Sequence, residues 1–174
     1  MLNLTEVILE EGKVIERQEN LQCKEFRFPF GSYPVLEASP VTLVIENTGN
    51  RVLKIQGSLR MVVSIPCARC LTEVPTVVEV DFEKEADMKQ TEQERINALD
   101  ESDFLNGYNL DVDQLVYGEA LLVWPSRVLC KEDCKGLCNV CGCDLNKETC
   151  NCESTQLDPR MAKILDIFSN FKEV

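Results

Sequence analysis

Hydrophobic and polar residues alternate along much of the N-terminal half of the chain. Over residues 53–65, one phase of the pattern is mostly polar and the other is apolar; the apolar set is Leu53, Ile55, Leu59, Met61, Val63 and Ile65. A period of two places successive side chains on opposite faces of a strand, so this pattern predicts a strand with one buried face. A Thr-Gly-Asn sequence at residues 48–50 predicts a turn that separates it from an earlier strand at residues 41–46.

Further strands are predicted on both sides of this hairpin. A third strand follows Pro75, where apolar residues again occupy alternate positions, and residues 2–9 and 21–30 are also predicted to be strands. Cys23, within the last of these, is predicted to be a small buried hydrophobic residue. We therefore expect an antiparallel β-sheet or a partly open barrel over about residues 1–83.

Two helices are predicted in the second half of the chain. Asp111 can cap a helix with an apolar stripe, which Pro125 ends. Asp158 can cap another helix, with Pro159 in its first turn and apolar residues at helical spacing behind it. Together with the sheet, these helices make an α+β fold; their predicted ranges are about 111–124 and 159–170.

Acidic residues are concentrated between the predicted sheet and the first helix. The 174-residue chain has a formal net charge of −12, and residues 79–103 carry ten acidic side chains against three basic ones. High charge with little apolar surface predicts a solvated acidic linker at residues 84–109, inside a single domain that spans residues 1–174. No apolar run approaches the roughly 20 residues that cross a bilayer, so we expect a cytoplasmic protein that does not contact membranes.

The candidate chemistry lies in the cysteines. The chain has ten cysteines and no histidine. Cys67 and Cys70 form one close pair, and seven more cysteines fall within residues 130–152. Closely spaced thiols are good ligands for a soft tetrahedral ion. Disulfides are a second interpretation, although they belong mostly to short secreted chains, and other thiol chemistry is a third.

The spacing divides eight of these cysteines into two groups. Without histidine, each tetrahedral site of nitrogen and sulfur ligands needs four cysteines. A first centre would join Cys67-x2-Cys70 to Cys130-x3-Cys134 across a long stretch of chain, and a second would join Cys138-x2-Cys141 to Cys150-x-Cys152 within a Cys-rich metal-binding loop at residues 125–157. We expect two structural zinc ions, and Cys23 and Cys143 are left over. The predicted ligands are Cys67, Cys70, Cys130, Cys134, Cys138, Cys141, Cys150 and Cys152.

No catalytic arrangement is recognisable in the sequence. Histidine, the commonest general base, is absent, and the chain has neither a glycine-rich phosphate loop nor a serine nucleophile elbow. Closed four-thiol sites are typical of structural zinc, which favours a protein that is not an enzyme. A thiol redox protein or an iron–sulfur protein is the alternative, because four cysteines also hold iron–sulfur clusters. A protein-interaction module whose acidic segment recruits a partner is a third possibility.

Several short sequence blocks resemble those of one known family. They are Cys67-Ala-Arg-Cys70, Trp124-Pro125, Leu129 to Gly142, Leu145-Asn146, Cys150-Asn151-Cys152 and Leu157-Asp158-Pro159-Arg160. In this order they are similar to the signature of the YceD family, the large ribosomal RNA subunit accumulation proteins, over about residues 50–168; Cys143 is an addition to that pattern. The resemblance implies a role in accumulation of large-subunit ribosomal RNA, and hence in ribosome assembly.

The partner implied by this resemblance is either precursor large-subunit ribosomal RNA or a ribosomal protein. RNA-binding surfaces are normally basic, whereas this chain is acidic, which would help association with a basic ribosomal protein. Direct RNA contact would need a patch formed in three dimensions, and both partners stay open at this point. The candidate residues for such a patch are Arg51, Lys54, Arg60, Arg69 and Lys135.

Overall fold

Two strands of 15 residues each, β6 (Val52–Pro66) and β7 (Glu73–Asp87), form the hairpin around which the sheet is built. The structure is a computed structural model, and it describes residues 1–89 and 103–152. The helices are α1 (Thr5–Leu9) and α2 (Val112–Leu122). The other strands are β1 (Leu2–Asn3), β2 (Val14–Glu19), β3 (Glu25–Phe28), β4 (Gly31–Ala38), β5 (Val41–Gly49), β8 (Leu105–Asn106) and β9 (Asn109–Leu110).

Strands β2 to β7 form an open antiparallel sheet in which β6 is central, and β1, β9 and β8 form a separate three-stranded sheet in that order. One edge of β6 pairs with β7 along its whole length. The other edge pairs first with β5, over residues 52–58, and then with β4, over residues 61–63. Strand β2 pairs with β5, and β3 pairs with β4. Of the two architectures expected from the sequence, an antiparallel sheet or a partly open barrel, the structure has the open sheet, which does not close into a barrel.

The alternating pattern of β6 places its apolar residues in the core, as predicted. The apolar residues of β6 pack there with those of β5, β7, α1 and α2. Gly57 interrupts the apolar phase because a Cβ atom there would lie 2.3 Å from the ring of Phe82. On the same side of the sheet, Lys84 of β7 forms an ion pair of 3.0 Å with the buried Glu119 of α2. The buried face of the sheet is therefore covered by helices, and no element within residues 1–89 and 103–152 covers the opposite face.

The strand predicted at residues 2–9 is wrong over most of its length. Only β1 is extended, and α1 follows it, because Leu4 and Val7 reach the core together at helical spacing. Asn47 of β5, which is buried, holds this helix in place: its side-chain amide donates to the carbonyls of Val7 (2.9 Å) and Ile8 (3.1 Å). A tertiary hydrogen bond and two buried side chains thus decide the conformation of this short segment.

The strand predicted at residues 21–30 is present only as β3. Cys23 precedes it and is half-buried instead of buried, and its thiol donates to the carbonyl of Glu25 at 2.9 Å. The helix predicted at residues 111–124 is confirmed as α2. The carboxylate of Asp111 accepts from the backbone N–H of Gln114 at 3.1 Å, as an N-cap should.

The predicted acidic linker is shorter than residues 84–109. Strand β7 continues through Asp87, and β8 and β9 pair with each other at residues 105–110. Within the remainder of this linker, residues 90–102 lie outside the described residues, and so does the helix predicted at residues 159–170. The assignment of the whole chain to a single domain stays a prediction. Among the described residues, no helix is long and apolar enough to cross a bilayer.

The start of the Cys-rich loop is anchored by aromatic packing. Trp124, just after α2, lies 4.7 Å from Phe28 and 4.9 Å from Tyr33 between ring centroids. These contacts attach the chain to the β3–β4 hairpin directly before it enters the cysteine-rich segment. Aromatic pairs at such distances stabilise a fold by about 0.5–1.5 kcal/mol, in addition to the stabilisation that comes from burying their apolar surface.

Candidate metal centre

The first cysteine pair sits in the tight connection between β6 and β7. The backbone N–H of Cys67 donates to the carbonyl of Thr72 at 2.8 Å, and that of Leu71 donates to the carbonyl of Cys67 at 2.9 Å. Leu71 adopts the left-handed region, with φ of 59°. This turn, residues 67–72, leaves Cys67 fully buried and Cys70 6% exposed. We call it the knuckle.

The segment that carries Cys130 and Cys134 packs directly on the knuckle. The backbone N–H of Ala68 donates to the carbonyl of Val128 at 2.9 Å, and that of Leu137 donates to the carbonyl of Arg69 at 3.1 Å. The guanidinium of Arg69 donates to the carbonyl of Cys134 at 2.6 Å. The knuckle and the remote segment are thus joined by backbone contacts as well as by their cysteines.

Gly136 permits this close approach. Its φ is 80°, and a Cβ atom at this position would lie 3.0 Å from the carbonyl oxygen of Arg69. Both the backbone conformation and the available space therefore require glycine.

The four cysteines of the first centre converge on one point. The Sγ atoms of Cys67 and Cys134 are 3.8 Å apart, and those of Cys70 and Cys130 are 3.5 Å apart. All four Sγ atoms lie within 4.8 Å of one another. A tetrahedron with metal–sulfur bonds of about 2.3 Å has sulfur–sulfur edges of about 3.8 Å. The first centre therefore has the size that a single tetrahedral ion requires.

The electrostatics of the first centre suit an ion. Burial raises the pKa of the Cys67 thiol, but hydrogen bonds from the backbone of Arg69, Cys70 and Cys130 outweigh it and lower that pKa to about 6. Burial and hydrogen bonds with neighbouring thiols raise the pKa of Cys130 to about 12. One thiol is thus ionised near neutral pH and another retains its proton, which a cation bound by all four sulfurs would displace.

The second centre is formed locally and is more exposed. The Sγ atoms of its four cysteines also lie within 4.8 Å of one another. Hydrogen bonds with the backbone of Cys141 and Val140 lower the pKa of Cys138 to about 6, and the Val140 N–H lies 3.4 Å from the Cys138 sulfur. A hydrogen bond with Cys141 and then burial raise the pKa of Cys152 to about 12. The members of this centre are Cys138, Cys141, Cys150 and Cys152.

The two cysteines left over in the sequence analysis lie outside both groups of four. Cys143 adjoins the second centre: hydrogen bonds with Cys141 and Cys150, together with burial, raise the pKa of its thiol to about 12. Cys23 lies before β3, and its backbone N–H donates to the carboxylate of Asp113 at 3.2 Å. The structure thus groups the eight predicted ligands as expected, and their role as ligands stays a prediction.

The basic residues considered for RNA contact do not form one patch. Arg51 and Lys54 lie at one end of β6, whereas Arg69 lies beyond its other end. Lys54 pairs with Glu83 at 2.9 Å, and Arg60 pairs with Glu79 at 3.4 Å. The guanidinium of Arg69 is bound to backbone carbonyls.

Sequence reasoning missed Asn146, which lies between the two centres. Its side-chain amide is 3.3 Å from the sulfur of Cys134, a residue of the first centre, although Asn146 lies in the loop of the second. The Leu145-Asn146 block of the family pattern was the available signal, and it gave no role for the side chain.

Fold and site together define a class: an open antiparallel sheet with two four-cysteine groups, each of which could hold a metal ion. One group joins the end of the central hairpin to a remote loop, and the other closes that loop. The family model described as "Large ribosomal RNA subunit accumulation protein YceD" matches residues 55–168. The chain belongs to this family, and the resemblance seen in the sequence is confirmed.

The curated relatives have low sequence identity to this chain and are longer than it. The chain is 28% identical over 125 residues to uncharacterized proteins of Mycobacterium bovis and Mycobacterium tuberculosis. The match covers 72% of this chain and 59% of each relative, so the chain matches little more than half of their length. No solved structure matches the chain.

Proposed function

We propose that this protein is a non-enzymatic factor for the accumulation of large-subunit ribosomal RNA and for ribosome assembly, and that two structural zinc ions stabilise it. The observation that carries the proposal is the family match over residues 55–168, a range that contains both four-cysteine groups. The factor works in the cytoplasm by binding precursor ribosomal RNA or a ribosomal protein. It has no reaction of its own.

Zinc suits both centres because each offers four sulfurs and nothing else. A site with four protein ligands has no open position for substrate, so its contribution is to folding. The first centre joins Cys67 to Cys134 across 67 residues of sequence. A brown colour in freshly isolated protein would favour the iron–sulfur alternative, since zinc is colourless.

The charge of the sheet favours a basic ribosomal protein as the partner. On the solvent face, residues 54–60 of β6 include two basic residues, Lys54 and Arg60. Five acidic residues lie beside them on the neighbouring strands. A hydrogen bond with Glu83 raises the pKa of Lys54, and the charges of Glu83, Glu46 and Glu85 add to this. A surface of this sign attracts cationic segments and repels phosphates. The five acids are Glu46, Glu79, Asp81, Glu83 and Glu85.

This partner assignment predicts a kinetic effect of charge. Neutralising Glu79, Asp81 and Glu83 together, as Gln, Asn and Gln, should slow association with the ribosomal protein that co-purifies with the chain by roughly tenfold at low salt. The salt dependence of the association rate should also become shallower. Stopped-flow mixing at two ionic strengths measures both.

A matched control removes the same number of charges elsewhere. Glu10, Glu132 and Glu148 are all exposed and lie outside the strands of the sheet, so replacing them by Gln should change the association rate much less. Equal slowing by the two triple variants would show that net charge acts, and not this face. If Lys135→Glu weakened binding of the chain to ribosomal RNA while the acidic-face variant changed nothing, RNA would be the partner.

The role itself is tested by depletion. Removing the protein from its cell should lower mature large-subunit ribosomal RNA relative to small-subunit RNA, as measured by electrophoresis of total RNA. The intact gene should restore the ratio, and a Cys67→Ser variant should not, because the loop that depends on the first centre unfolds. A normal ratio after depletion would contradict the proposed function.

A further inference from the structure

Asn146 links the two centres through its side chain. It lies in the stretch between Cys141 and Cys150, which the second centre closes into a loop, and it is half-buried. Its Nδ2 donates to the Sγ of Cys134 at 3.3 Å. Its Oδ1 accepts from the backbone N–H of Lys135 at 2.9 Å. A residue of the second loop therefore contacts a cysteine of the first centre and the residue that follows it.

The orientation of this amide is determined by its neighbours. The Lys135 N–H can only donate, so Oδ1 must face it and Nδ2 must face the sulfur. Asp144 holds the residue from the other side: its Oδ1 accepts from the backbone N–H of Asn146 at 3.0 Å and from Nδ2 at 2.8 Å. Asp144 is itself paired with Lys147 at 3.3 Å.

The loop that carries Asn146 takes its shape around the second centre. The backbone N–H of Cys138 donates to the carbonyl of Cys143 at 2.9 Å, and that of Leu145 donates to the carbonyl of Gly136 at 3.0 Å. Both ends of the loop lead into the four cysteines of the second centre. An ion held there would remove much of the entropy of the open loop before Asn146 makes its contacts.

A hydrogen bond to a sulfur of the first centre stabilises the charged form of that sulfur. Four thiolates around one divalent cation carry excess negative charge, and an N–H donor directed at one of them offsets part of it. Partners of this kind typically change metal affinity by about 10- to 100-fold. Among the described residues, Asn146 supplies the one side-chain amide that contacts a sulfur of the first centre.

We propose that Asn146 is a positioning residue that couples zinc binding at the two centres. With the second centre filled, the loop holds Nδ2 against Cys134, and the first centre binds zinc more tightly. Because linkage is reciprocal, a filled first centre strengthens the second by the same factor. The inference rests on the zinc binding proposed above and is independent of the role in ribosomal RNA accumulation.

The test uses the full chain and zinc alone, in competition with a chelator of known affinity. Loading of the first centre is followed through hydrogen-exchange protection of the Cys67 N–H, which donates to the Thr72 carbonyl in the knuckle. Asn146→Ala should weaken zinc binding at the first centre by about 10- to 100-fold. Asn146→Asp, which keeps Oδ1 for the Lys135 N–H but places a carboxylate against the sulfur, should weaken it at least as much.

A matched control and a second background make the test specific. Asn151 is exposed, and its side chain makes no hydrogen bond within residues 1–89 and 103–152, so Asn151→Ala should leave the affinity unchanged. In a Cys138→Ser background, where the second centre is incomplete, the first centre should already be weakened, and Asn146→Ala should weaken it by less than about threefold further.

Three results would overturn the proposal. Full affinity of Asn146→Ala would show that the contact does not support the first centre. Equal weakening by Asn146→Ala in the two backgrounds would show that the centres are independent. A wild-type chain that takes up no zinc would overturn the proposed metal binding together with this inference, whereas either of the first two results, obtained while the wild-type chain binds zinc, would overturn the inference alone.

Discussion

Cys67→Ser is expected to lower the zinc content from two ions per chain to one and to release the Cys-rich segment from the knuckle. Cys67 is fully buried and lies 3.8 Å from Cys134, so its loss leaves three sulfurs and an unmatched hydroxyl in a closed site. Structural zinc contributes roughly 10–16 kcal/mol to the folding of small zinc-finger peptides. We expect the free energy of unfolding of residues 128–137 to fall by several kcal/mol.

Elemental analysis after anaerobic purification measures the zinc, and hydrogen exchange measures the release. The Ala68 and Leu137 N–H groups, which join the knuckle to the remote segment, should lose protection. Cys23→Ser serves as the control, because Cys23 lies outside both centres, and it should retain two ions. Two ions in Cys67→Ser would show that the first centre is assigned to the wrong residues.

The second large effect is expected from Cys138→Ser, which should unfold residues 138–152 while the sheet stays folded. The second centre is partly exposed, and no member of its loop belongs to the main hydrophobic core. Without core packing, the ion would supply most of the free energy that holds this loop closed. At saturating zinc the variant should contain one ion, and the Gly142 and Leu145 N–H groups should exchange freely.

A neighbouring cysteine provides the matched control for this variant. Cys143 adjoins the second centre but is not one of its four members, so Cys143→Ser should keep two ions and full protection. Loss of zinc from Cys143→Ser would mean that this thiol, and not one of the four assigned, is a ligand. Unchanged protection in Cys138→Ser would show that the loop folds without an ion.

The sheet and the cysteine groups were predictable from the sequence for different reasons. The alternation along β6 extends over many residues, so its period decides between strand and helix. The division into two groups of four followed from the close spacing of the pairs and the absence of histidine. The first signal is local and the second needs only cysteine spacing and composition, so neither requires knowledge of what packs against the segment.

The conformation of α1 and the role of Asn146 were not predictable in this way. Residues 5–9 are too few for the spacing of their apolar residues to distinguish a helix from a strand. Their helix depends on Asn47, about 40 residues away. An asparagine in a turn usually bonds its own backbone, and only the folded chain places Nδ2 of Asn146 beside a sulfur 12 residues earlier. Contacts between distant segments decide both cases.

The β6–β7 hairpin separates the knuckle from the opposite end of its two long strands. Each of its strands has 15 residues, and a strand rises by about 3.3 Å per residue, so the length along the hairpin from the knuckle to the opposite end, where the N–H of Met88 donates to the carbonyl of Arg51, is at most about 50 Å. A partner that contacts both ends of the hairpin must therefore extend along most of this length. Cross-linkers attached at the two ends of the hairpin would therefore react with well-separated sites on a bound partner, and the separation of those sites would be set by the length of the hairpin.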